Sequence, residues 1–121
     1  MKTLNKEQLI HVGARKLIPP NDILMLKADV NYTEVFLMDG SKILSSTTIG
    51  TIEKRLDGFD FFRVNRSTVV NLKFLDKCSI FSQKSLISVS VNQGQKKLKI
   101  AVSRRRQANL SEFLQNKLFV L

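Results

Sequence analysis

Two stretches near the C-terminal end alternate apolar and polar residues, and a period of two commits a chain to strands rather than helices. In the first, Leu86, Ile87, Val89 and Val91 stand against Ser88, Ser90 and Asn92. In the second, Leu98, Ile100 and Val102 interleave with Lys97, Lys99 and Ala101, so the polar face is cationic. Asn92-Gln93-Gly94 lies between them and reads as a turn.

The same logic extends upstream. Ile23-Leu24-Met25-Leu26 is a short apolar run of the buried-strand kind. Tyr32 to Met38 is rich in strand formers, Asp39-Gly40 is a tight hairpin turn, and Lys42 to Ser46 is the returning strand. From Thr48 to Leu56 the period changes: Ile49, Ile52 and Leu56 share one helical face, and Gly58 suits the stop. Phe59, Phe61 and Phe62 supply core bulk, Val69 to Leu72 resumes strand character, and Leu75 to Phe81 alternates again. Ser103 is placed to cap a helix over 104–118, where Leu110, Phe113, Leu114 and Leu118 recur at helical spacing. Pro19 and Pro20 interrupt any regular element, so residues 1–17 read as a leader of unassigned structure. A chain of 121 residues can bury one proper core. The expectation is one mostly β domain over 18–118, with one or two short helices.

Catalysis finds no support. His11 is the single histidine and has no Cys, Asp or Glu at ligand spacing, so it reads as a surface residue. Gly40, Gly50, Gly58 and Gly94 form no phosphate cradle. Ser67 and Ser103 lack a histidine for a nucleophilic triad, and Asp57 and Asp60 read as capping or loop residues. Cys78 is alone, which leaves a small core residue or a redox-sensing thiol. Neither an enzyme nor a cofactor is expected. No apolar run approaches the roughly 18 residues of a membrane span, and the N-terminus is not a signal peptide, so a cytoplasmic location without membrane attachment is expected.

Charge narrows the partner. Residues 1–60 carry eight Lys/Arg and eight Asp/Glu, whereas 61–121 carry twelve Lys/Arg against only Asp76 and Glu112. The whole excess of +10 therefore belongs to the second half. A cationic surface confined to one half points first to nucleic acid and second to an anionic membrane.

Two constellations could use that charge. In Phe61-Phe62-Arg63-Val64-Asn65-Arg66-Ser67-Thr68-Val69-Val70-Asn71, apolar anchors flank a polar centre. The anchors would hold Asn65, Arg66, Ser67 and Thr68 on a rigid exposed connection. Arg66 carries a planar fork that fits guanine O6 and N7 or a phosphate, and hydroxyls commonly meet phosphates. Arg63 reads instead as the partner of an acid such as Asp60, and Asn71 as a turn cap. The second constellation is Val102-Ser103-Arg104-Arg105-Arg106-Gln107, whose three arginines open the C-terminal helix. Cations are unfavourable at a helix N-terminus, and a docked anion would relieve that, the bland alternative being a solvated charge run. Lys96, Lys97 and Lys99 just upstream would extend a phosphate-contacting surface.

With these residues in place, the sequence resembles the LytTR family of bacterial DNA-binding domains, output domains of two-component systems. The resemblance covers about residues 18–115. It is carried by Asn21-Asp22-Ile23, Asn31-Tyr32-Thr33, Asp39-Gly40, the run Phe62-Arg63-Val64-Asn65-Arg66-Ser67 through Val70-Asn71, and Val102-Ser103-Arg104. It implies packed antiparallel β-sheets with a short helix, and loops rather than a recognition helix in successive major grooves. It further implies double-stranded promoter DNA, often as direct repeats, and bending of that DNA; a homodimer on the DNA is among the expected partners. By position it assigns DNA contact to Asn31, Tyr32 and Thr33, to Asn65 and Arg66 with Ser67 beside them, and to Arg104. Arg105, Lys97 and Lys99 join from the charge pattern. The family often has His where this chain has Asn65; Asn can still read adenine. Family domains often follow a phosphorylated receiver domain, which residues 1–17 are too few to form. That leaves either an excised domain or a single-domain regulator.

Two rival readings remain. The apolar end Leu118-Phe119-Val120-Leu121 suits a protein-interaction module that sequesters another regulator. An RNA-binding module would need exposed aromatics for stacking, and only Tyr32 is an obvious one.

Overall fold

Ile23-Leu24-Met25-Leu26 offers no polar residue to turn toward water, and the fold covers both of its faces. In a computed structural model, which describes residues 8–75, 85–91 and 96–118, this run opens β3 (Ile23–Asp29), the central strand of a five-stranded sheet. β4 (Tyr32–Leu37) and β5 (Lys42–Ser45) follow on one side, and β7 (Thr68–Asn71) and β6 (Phe61–Asn65) lie on the other. The order is β5-β4-β3-β7-β6 and every pairing is antiparallel. The β4–β5 connection is the expected Asp39-Gly40 turn, with Gly40 at φ +93° and the Leu37 N–H donating to Ser41 O at 2.9 Å.

One face of the sheet packs on α1 (Ile49–Arg55) through Ile23, Leu26, Val35 and Val69 against Ile49 and Ile52. Thr48 caps that helix, its hydroxyl accepting from the Thr51 N–H at 3.3 Å. The opposite face packs on a two-stranded sheet, β8 (Leu86–Val91) with β9 (Lys96–Ala101), and on α2 (Arg104–Leu118). Met25, Val64 and Val70 there meet Ile87, Val89, Ile100, Leu110 and Leu114. The mostly β, antiparallel architecture expected from the alternation is the one observed, with two helices as its only α elements among the described residues.

The leader held more than expected. Overlapping residues 1–17, read above as unassigned, and ending at Ile18, β1 (Ile10–Gly13) pairs with β2 (Lys16–Ile18) as an antiparallel hairpin. Ile10 and Val12 are buried with α1. The connection runs through Gly13, Ala14 and Arg15, all at positive φ (+91°, +53° and +57°). Two of the three are not glycine, so no ordinary turn signal marks the place. Gly13 also lies against β5: a Cβ there would come within 2.0 Å of Ser45 Oγ and 2.5 Å of Thr47 Oγ1. Arg55 of α1 secures the hairpin by donating to His11 O at 2.9 Å.

Leu75 forms an isolated antiparallel bridge with Val89. The rest of the Leu75–Phe81 alternation, Cys78, the Asn92–Gly94 turn and the apolar end Phe119–Leu121 lie outside the described residues.

Candidate nucleic-acid interface

The β6–β7 turn carries Arg66 and Ser67, and side chains anchored elsewhere hold it from three directions. Arg63, two residues before Asn65 at the turn's base, ion-pairs with Glu53 of α1 at 3.2 Å and donates its second guanidinium nitrogen to Arg66 O. Asn65 donates from Nδ2 to Ala101 O at the end of β9 (2.8 Å), while its Oδ1 accepts from the Ser67 N–H (2.9 Å) and hydroxyl (3.3 Å). Ser67 O accepts in turn from the Ala28 N–H of β3 at 2.8 Å. The backbone of Arg66 is therefore fixed while its side chain stays exposed.

The same corner receives the N-terminus of α2. The Ser103 N–H donates to Val64 O at 2.9 Å, and Arg106 donates to Arg63 O at 3.2 Å. Arg104 and Arg105 are exposed beside it. The helical period explains the split within the three arginines: Arg106 stands four residues before buried Leu110, on the inward face, and the other two do not. Lys99 lies with Lys27, Asn65, Ser67 and Thr68 around a shallow groove of about 380 Å³. Lys97 is exposed on the same strand and engaged in an interaction of its own.

The sequence-derived site residues thus divide. Arg66, Arg104, Arg105, Lys97 and Lys99 present exposed cations, with the β6–β7 turn, the end of β9 and the start of α2 brought together. Asn65 and Ser67 are occupied in building the turn. At the β3–β4 turn Asn31 and Tyr32 are exposed, but Thr33 is 1% exposed and donates its hydroxyl to Thr47 O at 2.7 Å. Thr33 faces inward because strand alternation begins at Tyr32, which turns every second side chain to the core. The reading of Asn71 as a turn cap holds. Its Oδ1 accepts from the Lys73 N–H at 3.0 Å, and its Nδ2 donates to Pro20 O and Ile23 O at 3.3 and 2.8 Å.

Sequence reasoning missed Lys27 and the buttress made by Arg106. Lys27 breaks an apolar strand just before a loop, a usable signal obscured by the neutral charge of its half of the chain. For Arg106 the helical period was itself the signal. Among the described residues, no group of three or more His, Cys, Asp or Glu could hold a metal ion, and no helix is long and apolar enough to cross a membrane. His11 Nδ1 accepts from the Gly13 N–H at 3.1 Å, a local structural contact.

Comparison with known proteins adds independent findings. The sequence profile of the LytTr DNA-binding domain matches residues 13–115. Two transcriptional regulators of Paraburkholderia xenovorans, the haem-containing CO-sensing proteins RcoM 2 and RcoM 1, are 31% and 30% identical over 99 residues. Those 99 residues are 81% of this chain and 35% of each regulator, so the chain spans about a third of the length of these relatives. In three dimensions the chain is similar to the LytTr DNA-binding domain of a Bacillus cereus protein described as a methyl-accepting/DNA response regulator. The TM-score is 0.56 at 17% identity, covering 92% of this chain and 96% of that one.

Proposed function

Because the chain belongs to the LytTR family of DNA-binding domains, we propose that it regulates transcription by reading duplex DNA with loops set into the major groove. The family is one of DNA-binding domains rather than enzymes. The observation that carries the reading is the corner described above, where exposed cations stand on backbone fixed by buried or bonded side chains. Fixed backbone matters because a bidentate arginine contact tolerates little error in position. Arg66 and Arg104 are the base-reading residues. Arg105, Lys97, Lys99 and Lys27 supply attraction to phosphates, which adds affinity without sequence preference. Asn31 and Tyr32 reach the duplex from the β3–β4 turn. Asn65 and Ser67 act through the turn they shape. The promoter sites are direct repeats, each copy of the chain taking one repeat.

Selection from a random duplex library tests the proposal. A recurring motif is expected, with two spaced half-sites and a footprint of two protein copies. Arg66→Ala or Arg104→Ala should weaken binding to the enriched duplex by about 1–3 kcal/mol and relax preference at one position each. Failure to enrich any motif, or unchanged affinity in both variants, would refute it.

A further inference from the structure

The β3–β4 connection is a two-residue turn, Val30-Asn31, between the paired residues Asp29 and Tyr32. Val30 occupies its first position at φ +46°. Tight hairpins favour Gly, Asn or Asp at positive φ, and a β-branched side chain is the least suited of all. Local packing does not explain the choice, since Val30 is 95% exposed. The molecule thus holds two methyl groups in water, on a backbone conformation that their own branching disfavours.

The placement of the turn suggests what meets them. β3 reaches the cationic corner at Lys27, which pairs with Thr68, and at Ala28, whose N–H donates to Ser67 O. Val30 lies two residues further on, roughly 7 Å along the strand direction, next to exposed Asn31 and Tyr32. An isopropyl group has no hydrogen bond to give a base edge and no charge for a phosphate. Of the features in the major groove, the one apolar complement is the C5-methyl of thymine. We propose that Val30 is a specificity-determining residue that packs on a thymine methyl. The inference rests on the DNA-binding reading above and adds a named base feature to it.

The experiment takes the duplex enriched by the wild-type chain and replaces its thymines one at a time with deoxyuridine, which removes the methyl and leaves base pairing intact. At one thymine of each half-site the wild type should lose about fourfold in affinity, the worth of one methyl group taken out of water. Val30→Gly should bind the thymine duplex about fourfold more weakly, ignore deoxyuridine at that position, and melt no lower than the wild type. Val30→Ala should fall between the two. An identical deoxyuridine profile in wild type and Val30→Gly, or undiminished affinity in Val30→Gly, would overturn the inference while leaving DNA binding intact. If the wild type enriches no duplex, the DNA-binding reading fails and takes this inference with it.

Discussion

Asn65 stands where a base-reading side chain was expected, and its hydrogen bonds argue for a different task. Asn65→Ala removes the bond to Ala101 O at 2.8 Å and both bonds accepted from Ser67, at 2.9 and 3.3 Å. A typical intramolecular hydrogen bond contributes about 1 kcal/mol net. The 3.3 Å contact is long, and the exposed part of the network can turn to water, so the loss should be about 2 kcal/mol. For a domain of this size that lowers the thermal midpoint by roughly 5–10 °C. Released from β9, the turn would also present Arg66 less accurately, weakening DNA binding. The two roles separate on sequence preference. A positioning residue lowers affinity for the enriched duplex and its single-base variants by a common factor. An adenine-reading residue flattens the preference at one base pair. Calorimetric melting together with binding titrations against a panel of single-base variants measures both quantities. An unchanged midpoint with preference lost at a single adenine would refute the positioning argument.

Three further outcomes follow from the geometry. Gly13→Ala puts a Cβ against Ser45 Oγ and Thr47 Oγ1 on a backbone at φ +91°, and should destabilise the fold by about 1–3 kcal/mol in chemical denaturation. Arg106→Ala should lower the melting midpoint, since it cuts the tie to Arg63 O, whereas Arg105→Ala should leave melting unchanged and flatten the salt dependence of DNA binding by about one phosphate contact. The hydroxyl and N–H of Ser41 hold the Asp39 carboxyl below its usual value of 3.8. A depressed carboxylate contributes stability above its unfolded pKa that is lost as pH falls through the folded value. Ser41→Ala should therefore move the Asp39 titration upward by NMR, though not fully, because the Ser41 N–H still donates to Asp39 Oδ1.

What could be read from sequence was the part of the fold written in local periods. β3, the Asp39-Gly40 hairpin, the Ile49/Ile52/Leu56 face of α1 and the β8–β9 alternation each carry a local pattern, which turn chemistry and the physics of burial impose directly. The β1–β2 hairpin escaped because its strands are only four and three residues long and Ala14 and Arg15 adopt positive φ without a glycine's signal. For the site, the exposed cations followed from composition and spacing. The roles of Asn65 and Thr33 did not. Asn65 is defined by a carbonyl 36 positions away, and Thr33 by where β4 begins, a boundary that differs by one residue between inside and outside.

The β6–β7 turn is gripped by Arg63 on the Arg66 carbonyl and, at the neighbouring Ser67, by Asn65 and by the Ala28 N–H, and none of these bonds uses the Arg66 side chain. The side chain at that position is consequently decoupled from folding. Under the proposed function, residue 66 is an interchangeable reading head: replacing it should leave the mount intact and alter only what is read. Retargeting such a domain would thus meet little of the usual trade-off between new activity and stability. A library randomised at this one position should yield folded proteins throughout, with differing DNA preferences among them.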